Sequence, residues 1–330
     1  MLYITSYMSK EIILSGIRPT GKLHIGNYLG ALKNFVELQN KYECYFFIAD
    51  LHSLNEVFDP KTKQEQIFDL ARDFLAAGLD PKKCTIFVQS HIPEHSELAI
   101  ILSNIIPVSF LFRMTQYKEK AEERANENVS AGLLYYPVLM AADILAYKPT
   151  KIPVGQDQTQ HVELAQETAR FFNNKFGQTF PEPKPLYTES PKVMSLLNPE
   201  KKMAKTLGDN HCLYLDDSPE IIAQKLARAV TDTGDAKTAG GQNLLGLVKI
   251  FSTKNSYAQF SNQAQKGQLK YSELKTQLAK DIADYFKDFR QAKAKISDQK
   301  VQKVLKSGAK KAKKIAAKTM AEVRTKIGLN

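Results

Sequence analysis

The sequence predicts an α/β protein, a doubly wound parallel sheet of the Rossmann type joined to a C-terminal all-helical domain. Three observations carry this expectation. Short apolar runs alternate with stretches of helical period through the first half of the chain. One run, YECYFFIADLH, is apolar almost throughout, as a strand buried on both faces must be. Beyond about Asp216 no strand pattern recurs, and helix starts succeed one another.

Residues 11–16, EIILSG, read as a short strand ending in glycine. Ile25, Leu29, Leu32 and Val36 then recur at helical spacing over 25–39. The run 42–52 is the buried strand. Asp59-Pro60 opens a helix, with Asp as N-cap and Pro at the first helical position. That helix ends at Gly78, with Pro81 beyond. Residues 84–90 and 151–155 are further strands, and a helix runs from about Asp157 towards Gly177. DDSPE (216–220) caps the first helix of the second region through Asp217 or Ser218, and 242–252, 271–289 and 297–327 are helices. The expected organisation is an extension over 1–10, an α/β domain over 11–210 and a helical domain over 217–330. Ligands of such a sheet bind at the carboxyl ends of its strands.

No window reaches the length of a membrane span, and MLYITSYMSKEI lacks a basic region before an apolar run, so no leader is expected; Met8 offers an alternative start. Cys44, Cys84 and Cys212 are odd in number and far apart. That argues against a disulfide framework and a thiolate metal site, and favours a reducing cytoplasm. The formal net charge is +11. From Gln291 onward there are twelve Lys or Arg against two acids, twelve minus two giving +10, so the rest of the chain is nearly neutral. Such a tail reads either as a contact for a polyanion such as RNA or as a solvated lysine-rich helix.

GIRPTGKLHIGN (16–27) nearly satisfies the phosphate-loop pattern, but Leu23 stands where a metal-ligating hydroxyl is needed. The four residues after Leu23 are more informative. His24 and Asn27, three apart, share a face at a helix start, where free N–H groups and the dipole favour phosphate. Gly26 between them leaves room for a base or ribose against the backbone. A second piece, NPEKKMAKTLGDN (198–210), is polar and carries Lys201, Lys202 and Lys205 around Met203. Lysines beside a nucleotide neutralise a leaving pyrophosphate. HIPEH (91–95) fits an inverted zinc-protease signature. Pro93 as the first helical position leaves His91 outside the helix and spoils the facing, so no protein-held metal is expected.

HIGN (24–27) and KMAKT (202–206) together resemble the HIGH and KMSKS signatures of class I aminoacyl-tRNA synthetases. The block 131–177 is similar to the amino-acid-binding region of the bacterial tryptophanyl-tRNA synthetases. Stretches 15–32, 113–121, 194–205 and 229–234 agree. The likeness runs from about Ile12 onward, strongest before Asp217 and weakest in the basic tail. It implies a Rossmann-like fold of the HUP type and a tryptophan–tRNA ligase using Mg²⁺-bound ATP, with tRNA(Trp) as partner. It further implies a homodimer, with segments near 91–130 at its interface, and an anticodon-binding helical domain. The alternatives are a tyrosyl enzyme and a non-charging binding paralogue.

Residue by residue, the resemblance assigns ATP to Arg18, Pro19, Thr20, His24, Gly26, Asn27, Gly155, Gln156, Asp157, Val193 and the loop Lys202, Met203, Ala204, Lys205 and Thr206. Charge neutralisation at the phosphates falls to His24, Asn27, Lys118, Lys202 and Lys205, and Asp157 suits ribose hydroxyls. Asp143 is a lone carboxylate in LMAADILAY. It either faces solvent at a helix edge or, as the resemblance implies, accepts the indole N–H. Met140 would pack on the ring, and Tyr136 and Gln158 would hold the α-amino group. The chain departs from the family pattern at Ala204 and Thr206, which replace serines, and at Gln156, which replaces a glutamate.

Overall fold

The computed structural model describes residues 10–123, 129–188 and 191–329, without the side chains of Glu123 and Asp157. The expected N-terminal extension, apart from Lys10, and residues 124–128 of the 91–130 segment lie outside the described residues. In chain order the elements begin with β1 (Ile12–Ile17), α1 (Ile25–Asn27), α2 (Lys33–Leu38), β2 (Glu43–Ile48), α3 (Pro60–Ala76) and β3 (Cys84–Val88). Then come α4 (Glu94–Ser103), α5 (Val108–Phe112), α6 (Thr115–Glu123), α7 (Ala131–Ala146), β4 (Lys151–Val154), α8 (Thr159–Phe176) and β5 (Lys184–Tyr187). The remainder is helical: α9 (Pro219–Ala227), α10 (Ala239–Phe251), α11 (Lys254–Gln265), α12 (Tyr271–Tyr285), α13 (Lys287–Ala294) and α14 (Asp298–Ile327).

The contacts divide the chain into two compact units, and neither is continuous in sequence. The sheet unit takes 1–21, 34–189 and 297–330; the helical unit takes 22–33 and 190–296. This differs from the expected break near 210–217 in two respects. Residues 22–27 and 190–216 group with the helices, because Ile25 N donates to Leu213 O at 2.9 Å and Leu215 N to Leu23 O at 3.0 Å. The basic C-terminal helix groups with the sheet instead.

In the sheet unit five parallel strands run in the order β3-β2-β1-β4-β5. The chain winds outward from β1 through β2 to β3, then restarts on the other side of β1 with β4. The direction of winding reverses between β1 and β4, which is where a crevice opens in such sheets. Cys44–Ile48 of β2 and all of β3 are buried, as expected of strands covered on both faces. β5 is an addition to the expected strands. Its sequence, KPLY, is short and holds Pro185, which an edge position accommodates. α3 begins as expected, with the Asp59 carboxylate accepting from Lys61 N at 2.9 Å. One core includes Leu14, Phe47, Phe87, Leu145 and Phe172, and its other contributors include Ala312, Ala316, Met320 and Val323 of α14.

α14 therefore settles as a packed helix what composition left open. Val301, Leu305, Gly308, Ala312, Ala316, Met320 and Val323 repeat at helical spacing and are buried. Ion pairs pin both ends, Arg72 with Asp298 and Arg324 Nε with Glu97 Oε1 at 2.7 Å. Midway the helix touches the edge strand itself. A Cβ on Gly308 would stand 1.8 Å from the carbonyl oxygen of Ile86. Mid-helix glycine ordinarily costs about 1 kcal/mol relative to alanine, so an open site gains from the exchange. Gly246 in α10 is such a site, with nothing within 4 Å of a built Cβ. Gly246→Ala should therefore raise stability to urea by about 0.5–1 kcal/mol, whereas Gly308→Ala should lower it by about 3 kcal/mol through overpacking. Equal effects from the two variants would show that α14 does not approach β3 this closely.

Candidate active site

The expected site residues fall into two sets, one in each unit. In the sheet unit they gather just past the carboxyl ends of the strands. Arg18, Pro19 and Thr20 come directly after β1, and Gly155, Gln156 and Gln158 after β4, on the two sides of the reversal point. Pro19 is buried; Arg18, Thr20 and Gln156 are exposed; Gly155 and Gln158 are half-buried. The Asp157 side chain lies outside the described residues. Arg18 does not project freely. Its Nη1 donates to Glu56 Oε1 at 2.8 Å, and Lys120 Nζ donates to the same oxygen at 2.8 Å. Burial would raise the Glu56 carboxyl, but the hydrogen bonds and charges of Lys120 and Arg18 lower it. Lys118 is exposed on α6, two residues from Lys120, and it is Lys120 that joins the Arg18 cluster.

Tyr136, Met140 and Asp143 stand at i, i+4 and i+7 on α7, so they share one helix face. The solvent-facing reading of Asp143 is excluded, since it is only 1% exposed. Its carboxylate accepts from His52 Nε2 at 2.8 Å on Oδ2, and Gln89 Nε2 lies 2.9 and 2.8 Å from its two oxygens. His95 Nδ1 is 2.8 Å from Oδ1, and His95 Nε2 is 2.8 Å from the Tyr147 hydroxyl. Burial alone would raise the Asp143 carboxyl. The hydrogen bonds and charge of His52 and His95 outweigh it and lower the group to about 2, so Asp143 is ionised. Nearby, the Tyr136 hydroxyl donates to Gln116 Oε1 at 3.3 Å and lies 3.0 Å from His161 Nε2.

Sequence reasoning does not find His52, Gln89 and His95 as partners of Asp143. They come from the turn after β2, the end of β3 and the first turn of α4. Only HIPEH marks His95 in the sequence, and for a different chemistry. The structure bears out the facing argument there, since His91 lies in a turn before α4 while His95 is buried inside it. Among the described residues no group of His, Cys, Asp and Glu could hold a metal ion.

The second set belongs to the helical unit. Gly21, at φ 101°, turns the chain into a conformation that L side chains rarely adopt. His24 then caps α1. Its Nδ1 accepts from Asn27 N at 3.3 Å, while Asn27 Oδ1 accepts from His24 N at 3.1 Å, a reciprocal capping box. Burial, and then the charge of Lys205, lower the His24 imidazole from 6.5 to about 4. This corrects the expected role of His24 in neutralising charge. At neutral pH the ring is uncharged. With Nδ1 accepting, its proton sits on Nε2, and the ring presents an N–H donor there.

Gly26 faces Val193, and a Cβ at Gly26 would press on the His24 ring at 3.0 Å and lie 3.7 Å from Val193 Cβ. The lysine loop starts from a short ladder, with Met203 N donating to Val193 O at 3.0 Å and Ser195 N to Lys201 O at 2.9 Å. Asn243 of α10 clamps that ladder. Its Oδ1 accepts from Met194 N at 3.2 Å, and its Nδ2 donates to Met194 O at 3.1 Å. Met203 is buried as an anchor, Lys202 and Thr206 are exposed, and Ala204 and Lys205 are half-buried. The charge of Lys205 thus reaches His24 within this unit.

A doubly wound sheet with its crevice at the β1/β4 reversal, a histidine-capped helix start and a lysine loop on a hydrogen-bonded ladder define a class I nucleotide-activating synthetase. Residues 8–325 match the sequence profile of the tRNA synthetases class I (W and Y), and the chain belongs to that family. It is 44% identical to a tryptophan–tRNA ligase of Caldanaerobacter subterraneus over 325 residues, covering 96% of this chain and 98% of that protein. A tryptophanyl-tRNA synthetase from Mycoplasma pneumoniae superimposes with a TM-score of 0.85 at 33% identity, covering 97% of this chain and 98% of that one. One from Campylobacter jejuni, solved with ADP and tryptophan, gives 0.84 at 33% identity over 96% of this chain and 100% of that one. No helix among the described residues is long and apolar enough to cross a membrane.

Proposed function

We propose that this synthetase is a tryptophan–tRNA ligase. The observation that carries the choice of amino acid is its full-length likeness to enzymes of that name. The chemistry of Asp143 agrees. An indole N–H is a pure donor, and an ionised carboxylate is a pure acceptor. Gln89 Nε2 spans both Asp143 oxygens, so by keeping one it can release a lone pair to the incoming indole while His52 and His95 hold the carboxylate in place.

The tryptophan carboxylate attacks the α-phosphorus of ATP, forming the acyl–phosphate bond as the bond to pyrophosphate breaks. Mg²⁺ enters with the ATP. The chain supplies position and electrostatics. His24 Nε2–H donates to phosphate oxygens, Lys202 and Lys205 neutralise the departing pyrophosphate, and Gly26 and Val193 bound the nucleotide. The adenylate then passes its acyl group to the terminal 2′-hydroxyl of tRNA(Trp), and AMP leaves. Ile100, Val108 and Phe112, exposed at 60%, 55% and 48%, support an apolar homodimer interface within 91–130.

Charging of tRNA(Trp), run with each amino acid in turn, is the direct test. The expected result is ATP-dependent charging with tryptophan and none above background with tyrosine. Pyrophosphate exchange driven by tyrosine alone would make the enzyme a tyrosyl synthetase. Failure to charge with either would make it a binding paralogue.

A further inference from the structure

A basic concavity of the sheet unit lies far from the crevice. A groove of about 470 Å³ opens between α14 and the amino-terminal ends of β2 and β3. Its floor is Cys44, Tyr45, Cys84 and Thr85, and its rim carries Lys82, Lys83, Lys311, Lys314 and Lys318. The strands separate it from the carboxyl-end crevice by their own length, about 17 Å for a five-residue strand. Burial pushes the Cys44 and Cys84 thiols up to about 12, so the floor is neutral. The one acid of the lining, Glu43, accepts from the Tyr45 hydroxyl at 2.8 Å. Lys83 Nζ donates to Asn40 Oδ1 at 2.9 Å. Among the described residues, no carboxylate pairs with Lys82, Lys311, Lys314 or Lys318.

Lysine identity and spacing decide what such a groove takes. Lys311, Lys314 and Lys318 share one flank of α14, and Lys300 lies three turns earlier on the same flank. From Lys300 to Lys318 the row spans about 27 Å of helix. That exceeds any small phosphorylated metabolite and suits a run of backbone phosphates. No arginine lines the groove, so it has point charges without the planar forks that read bases or carboxylates.

We propose that this groove and lysine row bind the phosphate backbone of RNA without reading its sequence, as a contact separate from the active-site crevice. The choice of RNA among polyanions rests on the proposed tRNA-ligase function. The contact is electrostatic, strengthens at low salt, and raises the local concentration of tRNA around the enzyme.

The test uses the full chain with Lys311→Gln, Lys314→Gln and Lys318→Gln combined, against a control combining Lys306→Gln, Lys310→Gln and Lys313→Gln on the opposite flank. Fluorescence anisotropy would track bulk tRNA and an arbitrary RNA duplex of about 20 base pairs between about 50 and 200 mM salt. In the groove variant both RNAs should lose about tenfold in affinity, and the slope of log K against log salt should fall by about 2 to 3. The control should lose less than half as much. Tryptophan-dependent pyrophosphate exchange, which tests the enzyme's identity independently, should be unchanged in both. Equal losses in the two variants, or no loss in the groove variant, would overturn the proposal. So would polyglutamate or tripolyphosphate binding the wild-type chain as tightly as RNA, since the groove would then serve an acidic protein or a small anion.

Discussion

Asp143→Asn is expected to reduce tryptophan-dependent pyrophosphate exchange by about 100-fold or more and to destabilise the fold by about 2–4 kcal/mol. Hydrogen bonds from His52 and Gln89 converge on the carboxylate, and His95 Nδ1 lies 2.8 Å from Oδ1. An asparagine amide offers them one acceptor oxygen in place of two and turns an N–H₂ towards at least one donor. In a site 1% exposed, no water is at hand to repair the mismatch. The acid limb of stability tests the same point. The folded-state Asp143 carboxyl lies below its ordinary value, near 2 against 3.8. Its contribution is therefore present above about pH 4 and lost as pH falls towards 2. Urea midpoints measured across that range should fall with pH in the wild type and less steeply in the variant. Unchanged affinity and selectivity for tryptophan would remove the indole role, and an unchanged midpoint would remove the structural one.

His24→Asn is expected to lower kcat for adenylate formation by about 100-fold with little change in the KM for tryptophan, the effect of losing one preorganised donor at the phosphates. Asparagine is a good N-cap, so the helix start survives and the loss belongs to the imidazole. Because the ring titrates near 4, wild-type kcat should show no limb from this residue between about pH 5 and 8. Stability behaves differently. The unfolded ring takes a proton near 6.5 and the folded one only near 4, so the contribution is full above 6.5 and is lost as pH falls towards 4, on the order of 3 kcal/mol in all. His24→Asn should flatten that slope. A pH-rate limb near 6.5 that disappears in the variant would mean that His24 acts as a cation after all.

Much of the sheet was legible because its strands are apolar and their ends are punctuated by Gly, Pro and Asp. β5 escaped because an edge strand needs little apolar sequence and can hold Pro185. Asp143 stood out as a charge where no charge belongs. Its partners did not, because His52, Gln89 and His95 carry no local signal. Only the winding of the chain brings three separate turns around one carboxylate. The neutrality of His24 was equally hidden, since it comes from burial and from Lys205, some 180 residues away in sequence. The basic tail carried two patterns at once. Its charge count drew attention from the stripe of Val301, Leu305, Ala312, Ala316 and Val323, which already marked a buried face.

A ribosome makes the sheet unit in three portions, and most of the helical unit emerges between the second and the third. All five strands are out before α9 begins, yet the flank of β3 that receives Gly308 stays bare until α14 is made. Closing that gap joins residues more than 200 positions apart, which is slow relative to the local helices of the intervening unit. The nascent chain therefore holds an open strand edge of the kind that pairs with other chains, for as long as translation of some 140 residues takes. Quality control, rather than catalysis, is where faults in α14 would first be felt.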